Sequence, residues 1–391
     1  MSQELISRSP DLKRLRDEGY DVNIVGGYLV LRHIPYATQL RQVSYGSLVS
    51  RLDLAGDRTA RPGDHVVMFA GVTPCDQNGV PLQRVINSSS RQSLGEGLVI
   101  DHVFSSKPAE GYSDYYLKMT AYVRILAHEA IALDESATPT PFLVVQGEQD
   151  DSIYRYIDTA SSRAGIGLMT AKLAVSRVAI VGLGGTGSYI LDLIAKTPVR
   201  EIHLFDGDRL LQHNAFRAPG AASIDELRGA PYKVNYYFDV YSKLRRGIVP
   251  HSFYVDESHF LDVSQSDFVF LALDAGASKA HLVDHLTRSG VSFIDVGMGL
   301  YEVDGCLSGQ LRVVTSLSTT RERSLRRIPL DGADGDAEYD RNIQIADLNA
   351  LNAALAVIKW KKLCGFYLDL EGEEFTVYQL NGNCLINEDL R

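Results

Sequence analysis

Cysteine is scarce in this chain: four in 391 residues, at positions 75, 306, 364 and 384. No two form a C-x-x-C pair, so neither a disulfide framework nor a zinc site is expected, and any thiol chemistry would rest on a single cysteine. Positive charge is short as well. Lys and Arg number 39 against 49 Asp and Glu, a formal charge of −10, which is the wrong sign for gripping phosphate backbones and argues against nucleic acid as a partner. No apolar run approaches the roughly 18 residues of a membrane span, and the opening MSQELISRSPDLKRLRDEGY is too charged for a secretory signal. The expectation is a cytoplasmic protein with no membrane partner. Internal repeats and compositionally simple stretches are also missing. What is present, 45% hydrophobic and 23% charged residues, is the composition of a globular chain able to bury a substantial core, and the length predicts two domains.

Texture divides the chain. Residues 1–150 read as a mixed α+β domain of unknown role: a short charged helix, then IVGGYLVL, where Gly26 and Gly27 can turn a hairpin, then HVVMFAG, then a helix at KMTAYVRILAHEAIAL. The Pro, Thr and acidic residues of 133–152 mark a connection. Residues 151–391 alternate short β-branched or apolar runs with helical ones, the pattern of a Rossmann-like, mostly parallel sheet with crossover helices. Its strands are RVAIVG, EIHLFD, DFVFLAL and SFIDVG, with helices beginning at Gly187, near Tyr232 and near Ala277. MGLYEV and SGQLRVVT read as an added antiparallel pair, residues 342–363 as a long helix, and FTVYQL and CLIN as two closing strands around NGN.

The central motif runs from Gly182 through Gly184, Gly185, Thr186 and Gly187, directly after a strand and before a helix. Glycines here permit a tight turn and let backbone N–H groups approach a phosphate or ribose at a helix N-terminus. A glycine turn without a ligand would share this spacing. Nineteen residues past Gly187, Asp206 ends the second strand, where a carboxylate can accept bonds from ribose hydroxyls. The stretch from Asp206 to Lys233 then gathers Asp208, Asn214 and Arg217. That set suits a triphosphate better than a nicotinamide: Arg217 and Lys233 would neutralise charge on departing pyrophosphate, and Asn214 could hold a phosphate oxygen or orient Arg217. Asp274, at the carboxyl end of another strand, is a candidate Mg²⁺ ligand or a cap for the helix near Ala277.

Over residues 155–365 the chain resembles the ThiF, MoeB and HesA superfamily, which includes the adenylation domains of ubiquitin-activating enzymes. VAIVGLGGTGS matches its glycine loop, LFDGD its acidic pair and HNAFR its N-x-x-R, followed in order by Lys233 and Asp274. The resemblance implies adenylation of a C-terminal carboxylate with ATP and Mg²⁺, on a ubiquitin-like or sulfur-carrier β-grasp protein, and a conjugating-enzyme-like protein as a further partner. It also implies a homodimer in which Arg163, with Arg155 as the nearby competitor, reaches into the partner subunit's ATP site.

Two features depart from the family. The paired C-x-x-C zinc ligands of many relatives are missing, and the crossover segment TSLSTTRERSLRRIPLDGADGDAEYDRN holds no cysteine for a thioester. Cys306 falls in the turn expected between two strands. Cys75, in GVTPCDQNG, is expected in an exposed turn, with His65 and His102 elsewhere in the domain as conceivable activators of its thiol. An NAD(P)-dependent oxidoreductase would explain the glycine loop and Asp206 but not HNAFR with Lys233. A non-catalytic partner of a heterodimeric activating enzyme would not need the full ATP-site set in one chain.

Overall fold

The computed structural model describes residues 2–146, 152–330 and 343–387. The chain forms two compact units, Met1–Glu148 with Asp158–Gly165, and Gln149–Ile157 with Ile166–Arg391.

In the first unit, α1 (Ser2–Arg8) and α2 (Pro10–Asp17) precede β1 (Asp21–Val25), β2 (Tyr28–Ala37), β3 (Val43–Arg51), a small ribbon of β4 (Leu54–Ala55) and β5 (Arg58–Thr59), then β6 (Val66–Ala70), β7 (Ile86–Gly95) and β8 (Leu98–Ser105). Six strands make an antiparallel sheet in the order β1-β2-β3-β6-β8-β7. Gly26 and Gly27, at φ of +56° and +81°, form the two-residue β1–β2 turn, a conformation that favours glycine at both places. One sheet face is covered by α3 (Tyr115–Ile131), which buries Tyr115, Met119, Tyr122 and Leu126 against Leu29, Leu31 and Phe69. This helix starts three residues ahead of the expected Lys118, because Asp114 caps it by accepting the Leu117 N–H at 2.7 Å. The short α4 (Thr159–Arg163) also belongs to this unit.

Cys75 corrects the reading of an exposed turn. It is buried, its N–H bonded to the Ala37 carbonyl at 2.8 Å, and burial with the nearby Asp76 charge pushes its thiol above the ordinary range. His65 and His102 bond Ser105 and Ser89.

In the second unit α5 (Gly167–Thr170) leads to β9 (Arg177–Val181), α6 (Gly185–Ala195), β10 (Glu201–Phe205), α7 (Gln212–Ala215), α8 (Ile224–Gly229), α9 (Lys233–Tyr241) and β11 (Ile248–His251). There follow α10 (Phe260–Ser264), β12 (Phe268–Leu271), α11 (Ala277–Arg288), β13 (Ser292–Val303), β14 (Cys306–Ser316), α12 (Arg321–Leu325), α13 (Ala346–Leu363), β15 (Phe375–Gln379) and β16 (Cys384–Asn387). The eight strands lie in the order β11-β10-β9-β12-β13-β14-β15-β16, parallel from β11 to β13 and antiparallel beyond. Alternation along β9 sends Val178 and Ile180 to a core shared with α6, α9 and α13, and Ala179 and Val181 to one shared with α10 and α11. The chain turns to opposite sides of β9 through β10 and β12, so a ligand crevice opens at the carboxyl ends of β9 and β12.

Three sequence readings change here. MGLYEV is not a separate strand but the second half of β13, which runs on past SFIDVG to pair with all of β14. The IVPH strand β11 carries a proline, tolerated because it lies at the sheet edge, and escaped the pattern. Cys306 is the first residue of β14, paired with Val303, beside the Asp304–Gly305 turn. The long helix spans Ala346–Leu363, and residue 342, where the sequence starts it, lies outside the described residues, as do 331–342 of the crossover segment and 147–151 of the domain connection.

Two outcomes follow from this packing. Phe270 is fully buried, with Trp360, the chain's single tryptophan, 6.3 Å from it ring to ring. Phe270→Ala should cost about 3–5 kcal/mol, read as an earlier urea transition of Trp360 emission; a loss under about 1 kcal/mol would contradict this core. In the native state iodoacetamide should modify the exposed Cys306 well before Cys75, and Cys75 should react only on unfolding. Peptide mass spectrometry of a time course checks the order.

Candidate active site

The crevice at the carboxyl ends of β9 and β12 holds a cavity of about 450 Å³, walled by the glycine loop, Asp206, Asp208, Arg217, Lys233 and Asp274. Each glycine of the loop has its own reason. Gly182 sits at φ +88° with a would-be Cβ 2.4 Å from the Ala272 carbonyl; a Cβ on Gly187 would fall 1.9 Å from the Gly182 carbonyl, and one on Gly185 2.0 Å from the Asn349 side chain. These three let the loop close on β12, on itself and on α13. Gly184, the N-cap of α6, differs: a Cβ there would project into open space, on the cavity wall, so its bareness leaves a cradle for a ligand at a helix N-terminus.

Asp206 ties the loop to the second strand. Its Oδ2 accepts the Leu183 N–H at 2.6 Å and its Oδ1 the Asp208 N–H at 2.8 Å. Burial raises its pKa, against the opposing pull of Lys233, whose Nζ lies 3.6 Å away. Lys233, almost wholly buried at the start of α9, donates to Asp208 Oδ2 at 2.6 Å, and Tyr254 donates to Asp208 Oδ1 at 2.6 Å. Partial burial alone would raise the Asp208 pKa, but these two bonds hold it below the usual carboxylate range.

Arg217 follows the short α7. Asn214 is buried beneath, its Oδ1 accepting the Leu211 N–H at 2.8 Å and its carbonyl the Arg217 N–H at 3.1 Å, so it shapes the turn that carries Arg217. The Arg217 Nε is buried with no hydrogen-bond partner among the described residues, a donor available to an anion in the cavity. Asp274 lines the cavity just beyond β12, and the N-cap position of α11 belongs to Gly276. Among the described residues no three His, Cys, Asp or Glu side chains form a metal cluster. A Mg²⁺ ion that keeps several waters and takes one or two protein carboxylates plus phosphate oxygens needs no such cluster, and Asp274 fits that donor set. Arg163 belongs to the N-terminal unit, its guanidinium 5.7 Å from the Phe142 ring centre.

Sequence reasoning missed a second group. Asn349 of α13 accepts from Thr186 Oγ1 at 2.8 Å and donates to the Arg217 carbonyl at 3.3 Å, joining the glycine loop to the arginine turn. Asp295 of β13, fully buried, pairs with Lys279 Nζ at 2.6 Å and Arg312 at 2.7 Å, both cavity residues. Burial raises the Asp295 pKa and the two cations oppose it. No motif signals these residues, which are brought together from α11, β13 and β14. Asn349 alone had a faint signal, an asparagine that with Asn352 interrupts the apolar and small residues 348–358 of the long helix.

Residues 160–348 match the ThiF family, and residues 10–159 match a domain of unknown function, DUF6791. Among solved structures, E. coli MccB with MccA is similar at 17% identity over 59% of this chain and 70% of that one, with a TM-score of 0.44. MccB with MccA-N7isoASN gives 15% over 78% and 95%, TM-score 0.46, and E. coli tRNA N6-threonylcarbamoyladenosine dehydratase, TcdA, with AMP gives 17% over 53% and 93%, TM-score 0.39. None of the curated proteins matches the chain. Among the described residues no helix is long and apolar enough to cross a membrane. The family match supports ATP-dependent adenylation of a substrate. Residues 160–348 of this chain are a ThiF-family domain.

Proposed function

We propose that the chain adenylates the C-terminal carboxylate of a ubiquitin-like or sulfur-carrier β-grasp protein, consuming ATP with Mg²⁺ and releasing pyrophosphate. The observation that carries this is the cavity itself, with a bare helix N-terminus at Gly184 on one wall and Arg217 and Lys233 on another. In this reading a carboxylate oxygen of the acceptor bonds to the α-phosphorus, the bond from that phosphorus to the bridging oxygen breaks, and pyrophosphate leaves with the electron pair. No proton moves. Two anions must meet and a third must depart, so the protein's task is charge stabilisation and placement. Asp206 and Asp208 serve the ribose side, the loop N–H groups the phosphates, and Arg217 and Lys233 the charge that collects on pyrophosphate.

The charges around the cavity balance before any ligand arrives: Asp206, Asp208, Asp274 and Asp295 against Arg217, Lys233, Lys279 and Arg312. A triphosphate therefore adds uncompensated negative charge, which supports a divalent cation held by Asp274. When bound, that ion supplies neutralisation of the phosphate oxygens. No thioester step belongs to this reading. The described part of the crossover segment lacks cysteine, and burial holds Cys75 and Cys364 as thiols, Cys364 pushed up to about 11. The activated carboxylate would pass directly to an acceptor or to a conjugating-enzyme-like partner.

ATP–pyrophosphate exchange dependent on Mg²⁺ and on the acceptor protein is the expected activity, and Asp274→Asn should slow it by on the order of 10². Exchange at the wild-type rate in that variant would remove Asp274 from the site. We further infer a homodimer in which Arg163 completes the partner subunit's site. Mixing Arg163→Ala with Lys233→Ala protein should then restore part of the activity lost by each, since one composite site per mixed dimer keeps both residues. A fully active monomer by light scattering would rule this out.

A further inference from the structure

We propose that Arg312, held in place by Asp295, is the residue that binds the acceptor carboxylate and brings it against the α-phosphate. The inference rests on the adenylation reading of the cavity and adds the residue that receives its second substrate.

One face of the β13–β14 hairpin forms a wall of the cavity. Asp295, Gly297 and Gly299 alternate along β13, and Gly297 and Gly299 stand directly opposite Arg312 and Gln310 of β14, so these five share a face. Two glycines in a row on one strand face leave a trough. Over Gly297 the trough is filled by Arg312 itself, whose guanidinium would lie 2.6 Å from a Cβ at that position; over Gly299 it is open. Arg312 thus lies flat across its neighbouring strand, which only a glycine permits, and ends on Asp295 Oδ2 at 2.7 Å.

That arrangement costs the fold a buried carboxylate and a desolvated guanidinium, the latter with its pKa lowered by burial. Neutralising the Asp295 charge does not require it. Asp295 already has Lys279 Nζ at 2.6 Å, and Lys279 is further tied to the Leu273 carbonyl at 3.2 Å. Arg312 supplies a second cation to one carboxylate, which leaves the trio with one positive charge in excess. Its Nε is buried at the cavity and has no hydrogen-bond partner among the described residues. An excess charge and a spare donor beside an open glycine trough suit an extended chain end that carries a carboxylate.

The chemistry requires such a residue. An incoming carboxylate is repelled by the phosphates it must attack, and in this reading the two cations of the other wall are committed elsewhere: Arg217 to the departing pyrophosphate, and Lys233 to the same charge while within 3.6 Å of both Asp206 and Asp208. A cation on the opposite wall that is fixed before the substrate enters lowers this repulsion without reorganisation. Asp295 acts through Arg312 and is a positioning residue.

The test uses the full chain and two defined probes: ATP, and glycyl sulfamoyladenosine, a stable stand-in for an acyl-adenylate whose carbonyl oxygen replaces a carboxylate oxygen. Calorimetry of the wild type, Arg312→Ala and Arg312→Lys should give ATP affinities within about twofold of one another, with analogue affinity falling about tenfold or more in Arg312→Ala. Arg312→Lys, which keeps the charge but loses the fork that reaches Asp295, should lie between them. Asp295→Asn is the second variant, nearly isosteric, and should weaken the analogue and spare ATP, its retained ATP binding showing that it folds. If the wild type binds neither probe, the adenylation reading falls. If it binds both and Arg312→Ala binds both equally well, adenylation stands and the role of Arg312 falls. Equal loss of ATP and analogue in Arg312→Ala would make it a phosphate or structural residue and would likewise overturn the proposal.

Discussion

The Asp206 carboxylate is the contact on which the site depends. By accepting N–H groups from Leu183 and Asp208 it sets the path of the glycine loop and the end of β10 with one side chain, and Lys233 draws α9 to the same point. Removing it would strand the part-buried Leu183 N–H, a cost of about 1–3 kcal/mol for an unsatisfied group, and leave the exposed Asp208 N–H to water. The close approaches at Gly182, Gly185 and Gly187 are the steric side of that constraint. A loop pulled this tightly against β12 and α13 has no space for Cβ atoms, and the one bare position that packing does not require, Gly184, faces the cavity.

Charge around the cavity follows one rule. Three cations of its walls are matched to carboxylates in their own neighbourhood: Lys233 to Asp206 and Asp208, Lys279 and Arg312 to Asp295. Such pairs add little net stability, because desolvation offsets attraction, but breaking one leaves a buried charge alone. Their effect is to hold donors and acceptors at fixed places around a cavity before a ligand enters, which is the condition for electrostatic stabilisation of developing charge. Arg217 is handled differently. Its backbone is held by Asn214 and Asn349, while its Nε is left without a partner among the described residues.

The N-terminal unit is built on another principle, an antiparallel sheet with one well-covered face. Tyrosines of α3 do double duty there: Tyr115 and Tyr122 fill the core with their rings and reach polar groups with their hydroxyls, Tyr115 to Asp53 and Tyr122 to the His65 carbonyl. Burial raises both hydroxyl pKa values. Cys75 belongs to the same economy: its neighbours suggest an exposed turn, yet backbone bonds to Ala37 draw the residue inward.

Local chemistry in the sequence determined a good deal of this protein. The glycine loop, the carboxylates after β10, HNAFR, Lys233 and Asp274 were legible because the strand–turn–helix segments that carry them hold loop, carboxylate and cation at short, regular spacings. Strand and helix periodicity likewise marked β9, β10, β12 and α13, since the rise and twist of a single element dictate which positions are apolar. Tertiary structure alone decided what meets across the sheet. Gly185 must be bare because of Asn349, 164 residues later; Gly297 because Arg312 crosses it; and Asp295, which in FIDVG looks like one more residue of a strand, is a buried anion between two cations. The reason is that a carboxylate inside a protein is tolerated only where partners converge on it, and that convergence comes from strand register and helix placement, neither of which leaves a mark on the residues beside it in the chain.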